Sequence, residues 1–529
     1  MSNPSIFNDV LGPVMRGPSS SHSAGALRIG RLCLNLMQNE ISSAHIEYDP
    51  NGSLVTTHTS QGTDMGLYGG FLGWEADDIR LINYKEHIHR SGINIKVSYV
   101  SYGATHPNTY KLSLKNGDSQ HQLTALSTGG GMIRVISIDG ATVNMAGDAY
   151  VFLVYLSNMN SGLLNWLEQE FEFDEISLCA GDRTFIALKS AAPISDKIMA
   201  QIARHPEVLY TRLLKPVMPV LARRKMRLPF TNCEDMLAWN KDRHLELWQL
   251  ALEYEKERSG QSEAELMAYM KFIVGVMKKA IAIGLGGTEY EDRLLPAQSP
   301  NFQSQFNQGK LLESKALNQI IMRVSAMMEA KSSMQTIVAA PTAGSCGAAP
   351  GAIFGCSVAI EATEEMELQA MFAAGLIGVF IATGATFSAE EAGCMAECGS
   401  ASAMAAAALV HLGGGNLSQA LGATSMALQN CFGMVCDPIA NRVEAPCLGK
   451  NVMAASNALS CANMAMAGYQ HLIPLDEVIV AMAAVGKALP HELCCTALGG
   501  LSITPTAKRL EKQLGITSDQ IATRNFKSC

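Results

Sequence analysis

Charge is scarce in this sequence of 529 residues: 17% of it is Asp, Glu, Lys or Arg against 48% hydrophobic, a balance that suits a soluble protein with a large buried interior. Basic runs are shorter still, none exceeding Arg223-Arg224-Lys225, and the formal net charge is −8. A chain of that charge has no electrostatic footprint for nucleic acid, which is not an expected partner. No apolar run of the leader type opens the sequence. With 14 cysteines, that points to a reducing cytoplasm, where grouped thiols serve metals more often than disulfides. Residues 368–389 carry no charge and have the length of a membrane span. Their content is mostly Ala, Gly and Thr with Gln369 inside, so a pair of closely packed core helices is expected and no membrane contact. No cysteine pair has the C-x-x-C spacing of zinc ribbons or ferredoxins. No repeat of about 20 to 50 residues is present, which disfavours a solenoid. No lysine beside a phosphate-binding glycine loop suggests pyridoxal phosphate.

The length implies two or three domains. After Gly12-Pro13, the run Gly17-Pro18-Ser19-Ser20-Ser21-His22-Ser23-Ala24-Gly25 leads into a helical pattern over residues 26–37. Hydroxyls and free amides at a helix start make a seat for a carboxylate or phosphate. An ordinary cap needs one serine and leaves His22 unexplained. Alternating segments follow around residues 44–48 and 54–57, with strands expected over 93–99, 110–114 and 132–138. This is an α+β domain over 1–142. Residues 143–194 read as a β-α-β-β module, either a degenerate ACT-like small-molecule module or a structural spacer. Residues 195–262 read as a charged helical linker with a basic hinge at Arg223–Arg227.

From 263 to 515 the pattern is all helical, with Ala, Met and Leu at helical spacing over 267–283, 314–330, 351–362, 368–383, 400–412, 417–431, 452–469 and 475–486. A tail, 516–529, closes the chain. Within the helical half, Cys346, Cys394, Cys398, Cys436 and Cys447 stand at helix ends or turns. Cysteines gathered from such positions hold a metal or a cluster, or carry a reactive thiol. Cys33, Cys179, Cys233, Cys356, Cys461, Cys494 and Cys495 fall in apolar or helical segments, as small buried hydrophobes do.

Seven motifs, in order, resemble the bacterial iron-sulfur-dependent L-serine dehydratases: Gly17–Gly25, His106-Pro107-Asn108-Thr109, Pro341-Thr342-Ala343-Gly344-Ser345-Cys346-Gly347, Gly393-Cys394, Val435-Cys436-Asp437-Pro438, Glu444-Ala445-Pro446-Cys447 and Leu498-Gly499-Gly500-Leu501. The resemblance covers about residues 5–145 and from about 260 to the end, the β and α portions fused in one chain. It implies a [4Fe-4S] cluster on Cys394, Cys436 and Cys447, with the fourth iron open as a Lewis acid that polarises the serine hydroxyl. It implies a base among His22, His106 and His58, and pyruvate and ammonia as products. Ser19, Ser20, Ser21, Thr63, Asn108, Gly344, Ser345 and Cys346 would bind the substrate L-serine. The terminal Cys529 matches a family position that can enter the site and ligate the open iron. A cytoplasmic homodimer acting in amino-acid catabolism is the expectation.

One departure stands out. The family's Gly-His-x-Thr-Asp motif falls on Ser60–Asp64 with Gln61 in place of the histidine, and His58 is the nearest imidazole. Glutamine is no base. The alternatives are a related lyase acting on another β-substituted amino acid, of the cysteine desulfidase or threonine dehydratase type, or a non-catalytic cluster-binding regulatory protein.

Overall fold

The computed structural model describes residues 3–157, 161–221 and 227–514. Its N-terminal region is built on a six-stranded mixed sheet. Ser43–Tyr48 pairs in parallel with Asn94–Tyr99 on one side and antiparallel with Thr109–Asn116 on the other. Ser119–Gly129, Met132–Ile138 and Ala141–Met145 continue the sheet as antiparallel neighbours. Helix Gly25–Leu36 covers one face: Ile29, Leu32, Cys33 and Leu36 pack against Ile46, Tyr110, Leu112 and Leu114 in one buried cluster. Alternate residues of Thr109–Asn116 enter that cluster, the period of a half-buried strand. Residues 54–57, expected as part of an alternating segment, form one short helical turn, Leu54–Thr57. Four residues are too few for alternation to tell strand from helix.

A second sheet has the order Val208–Leu214, Tyr150–Leu156, Phe185–Ser190, Glu175–Cys179, all antiparallel. Helices Ser161–Glu170 and Asp196–Ala203 complete a β-α-β-β-α-β unit. The strand Val208–Leu214 lies in the stretch expected to be helical linker. The charge of the surrounding stretch suggested solvent-exposed helix, but pairing with Tyr150–Leu156 supplies the backbone partners that make it a strand. Most of the expected basic hinge, residues 223–226, lies outside the described residues.

The C-terminal region is helical. Glu263–Gly286 begins at a capping box between Ser262 and Glu265, and Lys315–Ser332, Ala348–Ile360, Glu364–Gly384, Ser400–Leu412, Leu417–Gln429, Cys447–Met466 and Leu475–Ala488 follow. The uncharged stretch from 368 is one helix rather than the expected pair. Among the described residues two helical segments, Glu364–Gly384 and Ala389–Leu412, are long and apolar enough to cross a membrane, yet 78% and 94% of their apolar windows lie buried within the protein. Ala and Gly allow this close packing because no long side chain holds the backbones apart.

Two contacts lock the regions together. Val14 and Met15 pair antiparallel with Val338 and Ile337. The π-turn Ile6–Val10 packs on helix Glu364–Gly384 at its glycines, and a Cβ on Gly378 would meet Val10 Cγ1 at 2.1 Å. Glu255 holds the same turn by accepting the Ser5 hydroxyl and the Ile6 amide, each at 2.8 Å. Gly378→Ala is expected to overpack this seam and lower stability by roughly 1–3 kcal/mol, measured by thermal or denaturant unfolding; unchanged stability would show that the seam adapts.

Candidate functional site

The short ladder between Val14–Met15 and Ile337–Val338 lays the serine-rich turn beside the loop 341–347. Ser19 caps the π-turn Ser20–Ala24. Ser20 Oγ accepts the Ala343 N–H at 3.1 Å, and the Ser21 hydroxyl donates to Glu390 Oε1 at 3.2 Å. One turn of the N-terminal region therefore touches two elements of the helical region.

His22 is fully enclosed, and its two nitrogens have distinct partners. The Thr57 hydroxyl gives its hydrogen to the Ser53 carbonyl at 2.7 Å, so at 2.9 Å it accepts the Nε2–H of His22. That leaves Nδ1 with its lone pair, 3.0 Å from Ser19 Oγ, 3.1 Å from Ser21 Oγ and 3.4 Å from Glu390 Oε1. Burial pulls the imidazole below its ordinary pKa, against the pull of Glu390, so the ring is neutral with a basic nitrogen facing a carboxylate.

The other two histidines are differently held. His58 Nδ1 lies 2.8 Å from Asp64 Oδ1, and its Nε2 lies 2.9 Å from the Tyr99 hydroxyl, so both nitrogens are engaged. The Asn108 amide donates to His106 Nδ1 at 3.1 Å, which leaves Nε2–H directed at Glu391 Oε1, 3.5 Å away. Asn108 Oδ1 accepts the Ser53 hydroxyl, while its buried Nδ2 has no protein partner, a donor that a ligand or water would satisfy. Thr63 is buried at the start of helix Thr63–Phe71. Ser345 is spent inside its loop: its hydroxyl lies 3.1 Å from Thr342 Oγ1 and accepts the Thr342 amide at 3.3 Å. Cys346 is fully buried, and burial pushes its thiol up to about 12.

At Gly393 the backbone leaves helical geometry, with φ of +65°. A side chain there would collide with the Met434 carbonyl at 2.7 Å. The break turns Cys394 inward, where it is almost fully buried. Cys394, Cys436 and Cys495 share one buried cluster with Ala389. Cys447 opens helix Cys447–Met466 and lies within electrostatic reach of Cys394, Glu397, Lys331 and Lys450. Lys450 Nζ bonds Asp437 Oδ1 and the Val435 carbonyl at 2.6 Å each, and stands 3.9 Å from Cys394 Sγ. Cys398 instead accepts from Asn451 Nδ2 at 3.6 Å. All described cysteines are free thiols. Cys529 lies outside the described residues.

Among the described residues no three His, Cys, Asp or Glu side chains stand close enough to hold a single metal ion. An iron-sulfur cluster is a wider object, each of whose thiolates takes a different iron. Buried thiols from separate turns, with the Lys450 ammonium beside one of them to balance thiolate charge, suit such a group.

Glu390, Glu397 and Cys495 were not among the residues singled out from the sequence. Glu397 accepts the Thr342 hydroxyl at 2.6 Å, and burial pushes its carboxyl up to about 7. It approaches so closely that a Cβ on Gly344 would lie 2.8 Å from either carboxylate oxygen, so Gly344 makes room for the carboxyl. The signal for these acids was present: Glu390 and Glu391 are the first charges after an uncharged run, and Glu397 follows Cys394 by three residues.

A model of the "Serine dehydratase alpha chain" family matches residues 242–502, and one of the "Serine dehydratase beta chain" family matches residues 10–100. The "Probable L-serine dehydratase, alpha chain" of Bacillus subtilis (strain 168) is 36% identical over 285 residues, 54% of this chain and 95% of that protein. The "L-serine dehydratase, alpha chain" of Peptoniphilus asaccharolyticus is 36% identical over 278 residues, 51% of this chain and 93% of that protein. The "Probable L-serine dehydratase, beta chain" of Bacillus subtilis (strain 168) is 35% identical over 150 residues, 28% of this chain and 67% of that protein.

Glu397 carries a pH signature. With its folded pKa raised from 4.5 to about 7, the stability it contributes is full below pH 4.5 and is lost as pH rises through 7. Glu397→Gln removes that loss. In metal-free protein the melting-temperature difference, variant minus wild type, is expected to grow between pH 5 and pH 8, by the equivalent of about 3 kcal/mol. A difference independent of pH would show that Glu397 titrates normally.

Proposed function

We propose, for a chain that belongs to the serine dehydratase family and carries its beta and alpha regions in one polypeptide, that the junction of the two regions eliminates water from L-serine. The 2-aminoacrylate released hydrolyses to pyruvate and ammonia. The observation that supports this best is the convergence on one buried centre of the turn Ser19–Ala24, the loop 341–347, the acids Glu390 and Glu397 and the thiols of Cys394, Cys436 and Cys447.

Those three cysteines would hold a [4Fe-4S] cluster, which when bound supplies a Lewis acid to assist departure of the serine hydroxyl. The protein's own groups carry the rest. Elimination requires a base for the α-hydrogen, and His22 is assigned that role: its Nε2–H is committed to Thr57, so Nδ1 carries the lone pair that takes the proton. Glu390 then faces the imidazolium and stabilises it, as a carboxylate 3.4 Å away does in a buried site. His58 and His106 serve instead as positioning residues, the first through Asp64 and Tyr99, the second through the loop that carries Asn108. Ser19 and Ser21 present hydroxyls beside Nδ1, and Asn108 Nδ2 is the unpartnered donor for substrate. Gln61 supplies no base and needs to supply none if His22 does. Enclosure of the site keeps water from competing for these hydrogen bonds.

Anaerobic assay of pyruvate formed from L-serine, run alongside the visible absorption of the reconstituted protein, tests the reading. Cys394→Ser, Cys436→Ser and Cys447→Ser should each lose both absorption and turnover, and Cys398→Ser should be far milder. A full cluster retained in Cys436→Ser would refute the ligand set. In His22→Ala the cluster should persist while turnover falls by roughly 100-fold or more; a wild-type rate would move the base to another residue.

A further inference from the structure

A cleft of about 1250 Å³ opens between the N-terminal sheet and the β-α-β-β-α-β unit, room enough for a small molecule. None of the residues that line it belongs to the candidate site above. Two strands build its walls by the same local rule. Residues two apart on a strand point to one face, so Ser119–Gly129 presents Ser119 with His121, and Val208–Leu214 presents Tyr210 with Arg212. Strand pairing sets Tyr210 opposite Tyr155, and their rings stack at 4.4 Å. The Arg212 guanidinium covers the Tyr210 ring at 4.6 Å and donates to Ser119 Oγ at 3.3 Å, which joins the two sheets. Arg183 donates to the Tyr210 hydroxyl at 2.9 Å.

His121, at 1% exposure, is among the most buried side chains of the cleft. Its Nδ1 lies 2.7 Å from Asp139 Oδ2, which also accepts the Tyr155 hydroxyl at 2.7 Å, while Oδ1 accepts the Gln122 amide at 2.8 Å. Burial opposes charge on Asp139, but these hydrogen bonds hold its carboxyl below its ordinary value. An ionised carboxylate only accepts, so Nδ1 is the donor. That leaves Nε2 buried and without a partner among the described residues, and Arg212 Nε is in the same position. Neither Arg183 nor Arg212 forms an ion pair with a carboxylate among the described residues. Asp118 and Asp182 also line the cleft, both of them exposed. Buried polar atoms left open on basic side chains call for a ligand or ordered water.

We propose that this cleft binds a small organic dianion, a phosphate monoester or a dicarboxylate, between Arg183, Arg212 and His121. Guanidinium forks match the paired oxygens of either group. The imidazole, protonated as the anion seats, donates its Nε2–H, with the Asp139 carboxylate behind it to balance the charge. A ligand so held spans the two sheets, with His121 on one and Arg183 and Arg212 on the unit beside it.

Isothermal titration calorimetry of the full-length protein tests the site, with inorganic phosphate and succinate as probes and chloride at matched ionic strength as the control. One dianion per chain is expected to bind saturably at millimolar concentration or below, and chloride is not. Arg212→Gln and Arg183→Gln should each weaken binding roughly tenfold or more, the scale of a lost charge-assisted hydrogen bond. Arg90→Gln, which removes an exposed guanidinium paired with Glu86, should leave it unchanged. Arg183 is itself exposed, so its variant keeps the fold, checked by an unchanged melting temperature. Tighter binding of phosphate identifies the ligand class as a phosphate monoester, and tighter binding of succinate as a dicarboxylate. No saturable binding of either probe overturns the site. So does binding that survives both Arg183→Gln and Arg212→Gln, which places the dianion elsewhere, or equal weakening by Arg90→Gln, which makes the effect one of overall charge.

Discussion

The pairing of Val14 and Met15 with Val338 and Ile337 is the constraint on which the site depends. Two residues of ladder contribute little energy by themselves. They set the register between two regions that each contribute to the candidate site: the N-terminal region brings His22, the serine turn and Gln61, and the helical region brings the thiols and the buried acids. The seam of Ile6–Val10 on Glu364–Gly384 and the clasp of Glu255 on Ser5 and Ile6 resist any slip of that register. A shift of about 1 Å there would separate Ser20 from Ala343 and Ser21 from Glu390, on the scale at which positioning is lost in catalysis.

Burial then decides the chemistry of the groups so assembled. His22 is kept neutral, Glu397 is raised toward neutrality, and the thiols of Cys346, Cys436 and Cys447 are raised by burial or by one another. Such an interior is costly for charge, and the cations at hand are few. Lys450 lies against Cys394 and Asp437, while the almost fully buried Lys331 bonds the Val443 carbonyl. A centre with more potential anions than cations is suited to a positively charged inorganic group.

Much of this was legible along the chain. Long helices declare themselves by period and by small residues, so the helical region and most of its segments could be read directly. The serine turn and the cysteines at helix ends were visible as chemistry in turns. The first strand of the module, Tyr150–Leu156, was visible as well. Its last, Val208–Leu214, was not, because a short and mostly apolar run with one charge, Arg212, shows no alternation that tells strand from helix. Glu390 and Glu397 were passed over because a carboxylate looks solvated until the fold shows it enclosed.

By itself the sequence determined an α+β region followed by a helical one, the family, and the residue types able to hold a cluster and move a proton, because those follow from local period and from motifs contiguous in the chain. Which imidazole keeps a basic nitrogen and which acid is raised were decided only by tertiary structure. Each depends on partners far away in the chain: Thr57 and Glu390 for His22, Thr342 and Gly344 for Glu397. Hydrogen bonds and desolvation are set by distance in space, which spacing along a chain does not encode.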